Sequence, residues 1–273
     1  MLKNKLLTAL LTALSVSAPV LALAEEAPAA TPAVTSNVAL VSNYLYRGIS
    51  QTGGNPAIQG GFDYAHSSGF YAGAWGSSIS WIGDAAIANS AGLELDTYFG
   101  LKNSFATDYS YDVGFLRYNY PGNYHATATN IPGINTAFDR ADTNEVYALI
   151  GYKWFTLKYS DSLGSTFAVP NAAGTNYIDL SASYPVGDSG YTLGAHYGMQ
   201  TFKGVTADAL KAAGSDPTYA DYKVSVNKDF SGYVVGLAYS STNASTASGA
   251  FYTNPQGKNL GQSTAVLSLA RTF

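Results

Sequence analysis

Between residues 37 and 273 the chain repeats one local pattern: segments of about ten residues in which apolar side chains take every second position. Period two is the signature of an extended strand, whose successive side chains point to opposite faces. In 93–102, Leu93, Leu95, Thr97, Phe99 and Leu101 share one face, and Glu94, Asp96, Tyr98, Gly100 and Lys102 share the other. In 191–200, Tyr191, Leu193, Ala195, Tyr197 and Met199 oppose Thr192, Gly194, His196, Gly198 and Gln200. In 219–228, Tyr222, Val224 and Val226 oppose Asp221, Lys223, Ser225 and Asn227. Weaker alternation predicts strands at 37–47, 57–65, 70–79, 109–120, 143–152, 155–160, 176–185, 233–241 and 263–273, which makes twelve.

One face of each strand is apolar and the other mixes small and charged residues. Only 12% of the residues are charged although 47% are hydrophobic and the mean hydropathy is zero. Soluble domains carry roughly 25% charged residues. Beyond residue 24 no apolar run approaches the ~20 residues of a membrane-spanning helix. An environment that accepts apolar residues on one side of every strand resolves the conflict. The connections point the same way. Those at 48–56, 80–92, 121–142, 161–175, 201–218 and 242–262 are all longer than those at 66–69, 103–108, 153–154, 186–190 and 229–232. Strictly alternating long and short connections, an even strand count and termini on the short-turn side predict an antiparallel transmembrane β-barrel of the outer-membrane type. A soluble sandwich has no reason to obey that parity.

The expected organisation is a signal peptide at 1–24, a flexible lead-in at 25–36 and a single barrel at 37–273. Lys3 and Lys5 precede an apolar run from Leu6 to Leu23 that ends in Ala22-Leu23-Ala24, the layout of a secretory signal. Residues 25–36 are rich in Ala, Pro and Thr. Such a chain is expected in a bacterial outer membrane with both termini periplasmic. Its last strand ends in Phe273 behind Leu269, Leu267 and Ala265 at alternate positions, with Arg271 breaking the pattern. A terminal aromatic of this kind suits recognition by the barrel-assembly machinery. Tyr44, Tyr46, Trp75, Trp81, Tyr109, Tyr111, Tyr118, Tyr120, Tyr233 and Tyr239 fall near strand ends, where amphipathic rings suit membrane interfaces, although aromatics are also good strand formers.

The segments NVALVSNYLYRGISQT (37–52), PAIQGGFDYAHSSGFYAGAWGSSIS (56–80), LELDTYFG (93–100), YDVGFLRYNYPG (111–122) and DYKVSVNKDFSGYVVGLAYS (221–240) resemble the TorF-type porins of Gram-negative bacteria. The likeness spans nearly the whole chain after the signal and is specific around YRGISQT and GGFDY. The resemblance implies an outer-membrane barrel that passes small solutes. It carries over no catalytic or ligand residues.

The alternation places Arg47, Asp63, Glu94, Asp96, Asp112, Glu145, Lys158, Asp179, His196, Asp221 and Lys223 on the inner face, lining a lumen. Acids outnumber bases there by seven to three, which predicts mild cation preference or passage of small cationic or neutral solutes. The same residues also suit a plugged interior, with Arg47 pairing with Asp63, and Lys158 or Lys223 with Glu145 or Asp179. That reading makes a non-conducting barrel whose extracellular loops bind a ligand or partner the alternative function. A channel specific for one nutrient is a third reading.

Other chemistry finds little support. The chain has no cysteine, which excludes a disulfide framework, thiol catalysis and Cys-based zinc sites. Acids outnumber bases 18 to 14, so no basic patch suggests nucleic acid. Glu94 and Asp96 could be a catalytic carboxylate pair, but a solvated lumen wall explains them more simply. His66 in a short turn, His125 in a long connection and His196 in mid-strand do not converge as metal ligands or a triad. An outer-membrane lipase or protease would need His125 with Asp139 or Asp142, and no motif supports it. Asp139, Asp142, Asp161, Asp208 and Asp216 are scattered rather than arranged as a calcium loop, and suit solvated outer loops or divalent bridges to lipopolysaccharide. Gly53-Gly54 and Gly60-Gly61 precede no helix and are not phosphate loops. No cofactor and no enzyme activity are expected.

Overall fold

A computed structural model describes residues 33–124, 140–245, 247 and 249–273. The signal segment 1–24, most of the lead-in, and His125 and Asp139 lie outside the described residues. In chain order the strands are β1 (Ala33–Val41), β2 (Leu45–Tyr46), β3 (Ile49–Ser50), β4 (Ala57–Ala65), β5 (Phe70–Ser78), β6 (Ala88–Ser90), β7 (Leu93–Ala106), β8 (Tyr109–Asn119), β9 (Asn123–Tyr124), β10 (Thr143–Tyr152), β11 (Phe155–Ser162), β12 (Asn176–Pro185), β13 (Tyr191–Thr201), β14 (Tyr219–Phe230), β15 (Tyr233–Thr242) and β16 (Thr264–Thr272). Two short helices, α1 (Trp81–Asp84) and α2 (Val205–Ala212), lie in long connections.

Twelve of these strands close a barrel in the order β1-β16-β15-β14-β13-β12-β11-β10-β8-β7-β5-β4. Every barrel pair is antiparallel, and β1 closes it by pairing with β16 from Asn37 opposite Thr272 to Val41 opposite Ser268. Closure leaves no unpaired strand edge, which lipid requires because it offers the backbone no hydrogen-bond partner. The outer face is apolar: Leu95, Phe99, Leu157, Leu180, Leu193, Val224, Leu237 and Leu267 are all exposed on the barrel wall. Within β7 the inward Glu94, Asp96 and Tyr98 are buried, so exposure alternates residue by residue along the strand.

Aromatic and basic side chains ring the short-turn end. Tyr109 stacks near Tyr152 at 4.7 Å and Trp154 meets Tyr184 edge-on at 4.8 Å. Arg271, the break in the alternation of the last strand, lies over the Tyr233 ring at 4.2 Å, and Lys228 lies over Tyr191 at 4.4 Å. Cations over aromatic faces at a membrane boundary keep their charge in the headgroup layer while their stems cover apolar surface. At the long-loop rim Arg117 binds Asn119, Asn144 and Asp142 on the outer face.

The first strand differs from its expected span. Alternation placed it at 37–47, but β1 begins at Ala33, inside the expected lead-in, and ends at Val41. The chain then turns into the barrel. Leu45–Tyr46 and Ile49–Ser50 form a separate two-stranded hairpin that pairs with no barrel strand. Its turn, Arg47-Gly48, has φ of 47° and 78°, both in the left-handed region that two-residue hairpins demand. Gly48 meets that demand without strain. A Cβ there would also lie 2.6 Å from Thr242 and 2.7 Å from Asp221.

Leu237, outward in the middle of β15, provides a check on the membrane face. Leu237→Arg is expected to cost about 2–4 kcal/mol, read from denaturant titrations of barrel refolded into lipid; a neutral outcome would contradict the assignment of that face.

Candidate functional site

The long-loop half of the barrel interior is filled. The inserted segment brings Tyr44, Leu45 and Tyr46 into a buried cluster with Val41, Tyr98, Leu116, Tyr118, Tyr120, Ile82 and Val266. Tyr46 meets Tyr118 and Phe167 edge-on at 5.5 and 5.3 Å, and Tyr44 meets Trp75 at 5.7 Å. Backbone hydrogen bonds tie this plug to two other long connections, from Ser80 to Gln51 and from Ser50 to Leu260. Tyr44, Tyr46, Tyr118 and Tyr120 therefore belong to the interior and not to the membrane interface their strand-end positions predicted. Alternation cannot distinguish the two, because an aromatic at a strand end serves either face.

The plug carries one charge at its tip. The Arg47 guanidinium donates to Glu145 at 2.8 Å and to Gln200 at 2.7 Å, on strands β10 and β13, which β11 and β12 separate in the wall. It also stacks over Tyr46 and Tyr177 at 4.8 and 4.3 Å. The Tyr219 hydroxyl donates to the Arg47 carbonyl at 2.8 Å. Arg47 is 5% exposed and Glu145 is 2% exposed, so this ion pair is shielded from water. Arg47 reaches Glu145 and not Asp63, since it stands on the inserted hairpin and not on the barrel wall.

Tyrosine hydroxyls meet most inward carboxylates. Tyr98 donates to Asp63 at 2.6 Å, Tyr71 to Asp112 at 2.6 Å, Tyr177 to Asp221 at 2.8 Å, Tyr118 to Glu145 at 3.2 Å and Tyr44 to Glu94 at 3.2 Å. Glycines make room for these rings: a Cβ at Gly198 would overlap the Tyr177 hydroxyl, and one at Gly73 would overlap Tyr98. His196 stands between two carboxylates, its Nδ1 2.6 Å from Asp179 and its Nε2 2.8 Å from Asp221. Ionised carboxylates only accept hydrogen bonds, so this placement suits the doubly protonated ring. Ser181 also donates to Asp179 at 2.6 Å.

The lysines are placed differently. Lys158 lies over the Tyr147 ring at 4.0 Å and Lys102 over Tyr71 at 5.3 Å. Among the described residues neither Lys158 nor Lys223 forms an ion pair: Asp179, opposite Lys158 in register, is turned to His196, and Glu145 is held by Arg47. Lys102, Lys158, Lys223, Asp63, Asp179 and His196 are all partly exposed, whereas Glu94, Asp96, Asp112, Glu145 and Asp221 are buried. The interior thus has a sealed level under the long loops and a level toward the short turns where Lys102, Lys158 and Asp63 reach water while Asp112 stays buried against Tyr71.

The lumen-lining set drawn from the alternation left out Tyr44, Tyr71, Tyr177, Gln200 and Lys102, although Gln200 and Lys102 fell on the polar face of their strands. A signal for several was present. Tyr98 and Lys102 sit on the polar face of their strand, and a tyrosine among carboxylates two residues away is a hydrogen-bond donor placed inside. Among the described residues no group of three or more His, Cys, Asp or Glu side chains gathers as a metal cage. The His66 ring bonds within its own turn, to Ser68.

Two substitutions test the network. Arg47→Met leaves the Glu145 carboxylate buried without its cation and is expected to cost about 3–5 kcal/mol, much of it recovered in the Arg47→Met/Glu145→Gln pair. Tyr98→Phe, which removes one hydroxyl donor from the partly exposed Asp63, is expected to cost about 1–2 kcal/mol. Denaturant unfolding of the refolded barrel measures both.

Comparison with known proteins follows from this geometry. No curated protein matches the chain. Among solved structures, the KdgM porin in complex with disordered oligogalacturonate aligns at a TM-score of 0.48 with 8% identity, over 89% of this chain and 99% of that one. The outer membrane protein OprD from Pseudomonas aeruginosa aligns at 0.38 with 12% identity, over 80% of this chain and 59% of that one. OccAB2 of Acinetobacter baumannii aligns at 0.42 with 8% identity, over 80% and 55%. The profile of the Gcw_chp family, bacterial proteins of unknown function, matches residues 25–273, and the chain belongs to that family.

Proposed function

We propose that the protein is an outer-membrane porin whose lumen is gated by the inserted hairpin β2–β3. The observation that carries this reading is the closed twelve-strand barrel with an apolar outer wall, a charged interior and a plug that shares no strand ladder with that wall. Polar contacts, aromatic packing and the Arg47 ion pair hold the hairpin, and such contacts exchange more readily than a strand ladder. On this reading the short turns and both termini face the periplasm and the long loops face outward. The resemblance of YRGISQT and GGFDY to TorF-type porins supports the same function.

With the hairpin displaced, small solutes or ions would pass along the inner wall by diffusion, without cofactor or chemistry. The inward carboxylates Asp63, Glu94, Asp96, Asp112, Glu145, Asp179 and Asp221 exceed the inward bases Arg47, Lys102, Lys158 and Lys223, which supports mild cation preference. The outward C-terminal Phe273 supports recognition of β16 by the barrel-assembly machinery. The arginines Arg117 and Arg140 at the long-loop rim, both engaged with Asp142, support a boundary with lipopolysaccharide.

The density of the plug favours one other reading, a non-conducting barrel that presents its outer loops to a ligand or partner. Planar-bilayer recording separates the two. The wild-type barrel is expected to show rare, brief openings, and Arg47→Ala to raise open probability by an order of magnitude or more, since the latch is worth several kcal/mol. Silence from both proteins would establish the non-conducting reading. In an asymmetric salt gradient the reversal potential of the open variant is expected to show cation preference, and a clear anion preference would overturn that part of the proposal.

A further inference from the structure

Among the seven inward carboxylates, six accept a hydrogen bond or ion pair from a tyrosine, histidine, serine or arginine. Asp96 is the exception. It is fully buried, at 0% exposure, and neither of its carboxylate oxygens has a partner. Glu94, two residues away on the same inward face, is 1% exposed, and its Oε2 is also without a partner. Three buried carboxylate oxygens on one strand face, carried by residues about 6–7 Å apart along the backbone, thus stand in an interior that serves every other acid. An ionised carboxylate in such a place costs several kcal/mol unless a positive charge joins it. The nearby cation is committed elsewhere, since Arg47 binds Glu145. Lys102 lies on the same strand but six residues further toward the short turns.

We infer that Glu94 and Asp96 form a binding site for a divalent, oxygen-seeking cation of the calcium class, sealed beneath the plug. Two carboxylates match a double positive charge. The groups opposite them in register are a hydroxyl at Ser77, across from Glu94, and a phenol at Tyr118, across from Asp96. Oxygen is the donor that hard cations take, and calcium accepts six to eight oxygens in flexible geometry, water included. Among the described residues, the histidines and thiols that a transition metal would prefer are missing from this level of the barrel. The Tyr44 hydroxyl, on the plug, donates to Glu94, and the Tyr44 ring packs on Trp75, the residue opposite Asp96. The plug therefore roofs the site. A cation that binds only the closed form stabilises that form, so calcium holds the hairpin in place.

The inference is independent of conduction, because its test reads binding and stability and not current. Calcium binding to the refolded full-length barrel is measured by equilibrium dialysis at neutral pH, with terbium luminescence sensitised through Trp75 and the tyrosines as a second readout. About one ion per barrel is expected, with a rise in melting temperature as calcium increases. Asp96→Asn and Glu94→Gln are each expected to weaken binding at least about tenfold and to abolish the calcium-dependent shift. Asp188→Asn, in an exposed short turn, is expected to leave both unchanged. Heat-modifiable migration on a gel verifies that each variant is folded. Calcium binding retained in folded Asp96→Asn would overturn the assignment. So would a wild-type barrel that ignores calcium but gains stability on acidification, which would make the pair a site for a shared proton.

Discussion

A carboxylate inside a closed barrel must be given a donor or a counter-charge, and that requirement organises this molecule. The wall of a membrane barrel removes water from one side, and a plug removes it from above. Each inward acid then needs a partner, and for all but Asp96 the protein itself provides one. Tyrosine is the residue that supplies one here: its ring fills lumen volume and its hydroxyl reaches a carboxylate across the strand pair. Glycines on neighbouring strands, such as Gly73 and Gly198, let the rings lie flat enough to do so. The abundance of tyrosine, 22 residues beside only 14 basic ones, is in part the consequence of lining a lumen with acids while using few cations.

The same requirement explains the plug. Arg47 sits at the tip of a tight turn that tolerates few residues, and its guanidinium joins β10, through Glu145, to β13, through Gln200. One side chain thus bridges two strands of the wall that are not neighbours and anchors a segment that has no ladder of its own to the barrel. The Tyr219 hydroxyl holds the backbone of that turn. Because the contacts are few, directional and charged, the closed arrangement is specific, and loss of one partner leaves others buried and unsatisfied. On the proposed gating, such an element has two states, seated or displaced, with little in between.

Much of the architecture was legible in the sequence, and particular residues show where legibility stopped. The strands at 57–65, 143–152 and 176–185 emerged with their expected boundaries, because alternation is a local property and each is bounded by a turn. The first strand did not: Tyr44 and Tyr46 continue the alternating pattern past Val41, so a lumen hairpin and a membrane strand read alike over 42–47. The inward positions of Glu94, Asp96, Asp112 and Glu145 follow from period two. Their partners do not, since the pairing of Arg47 with Glu145 joins residues 98 positions apart and depends on a chain reversal that no periodicity encodes. The division of the interior into a sealed and a water-reachable level is likewise a property of the whole barrel.

That division is the centre of the account, and cysteine labelling tests it most directly. The chain has no cysteine of its own, so a single introduced thiol reports without background. Ser225→Cys faces the partly exposed level, and Ser162→Cys, at a position 1% exposed, faces the sealed one. A small, water-soluble thiol reagent applied to the refolded barrel is expected to modify the first rapidly and the second only on the timescale of plug displacement. Equal, rapid modification of both would show that water fills the lumen from end to end and would contradict the plugged structure.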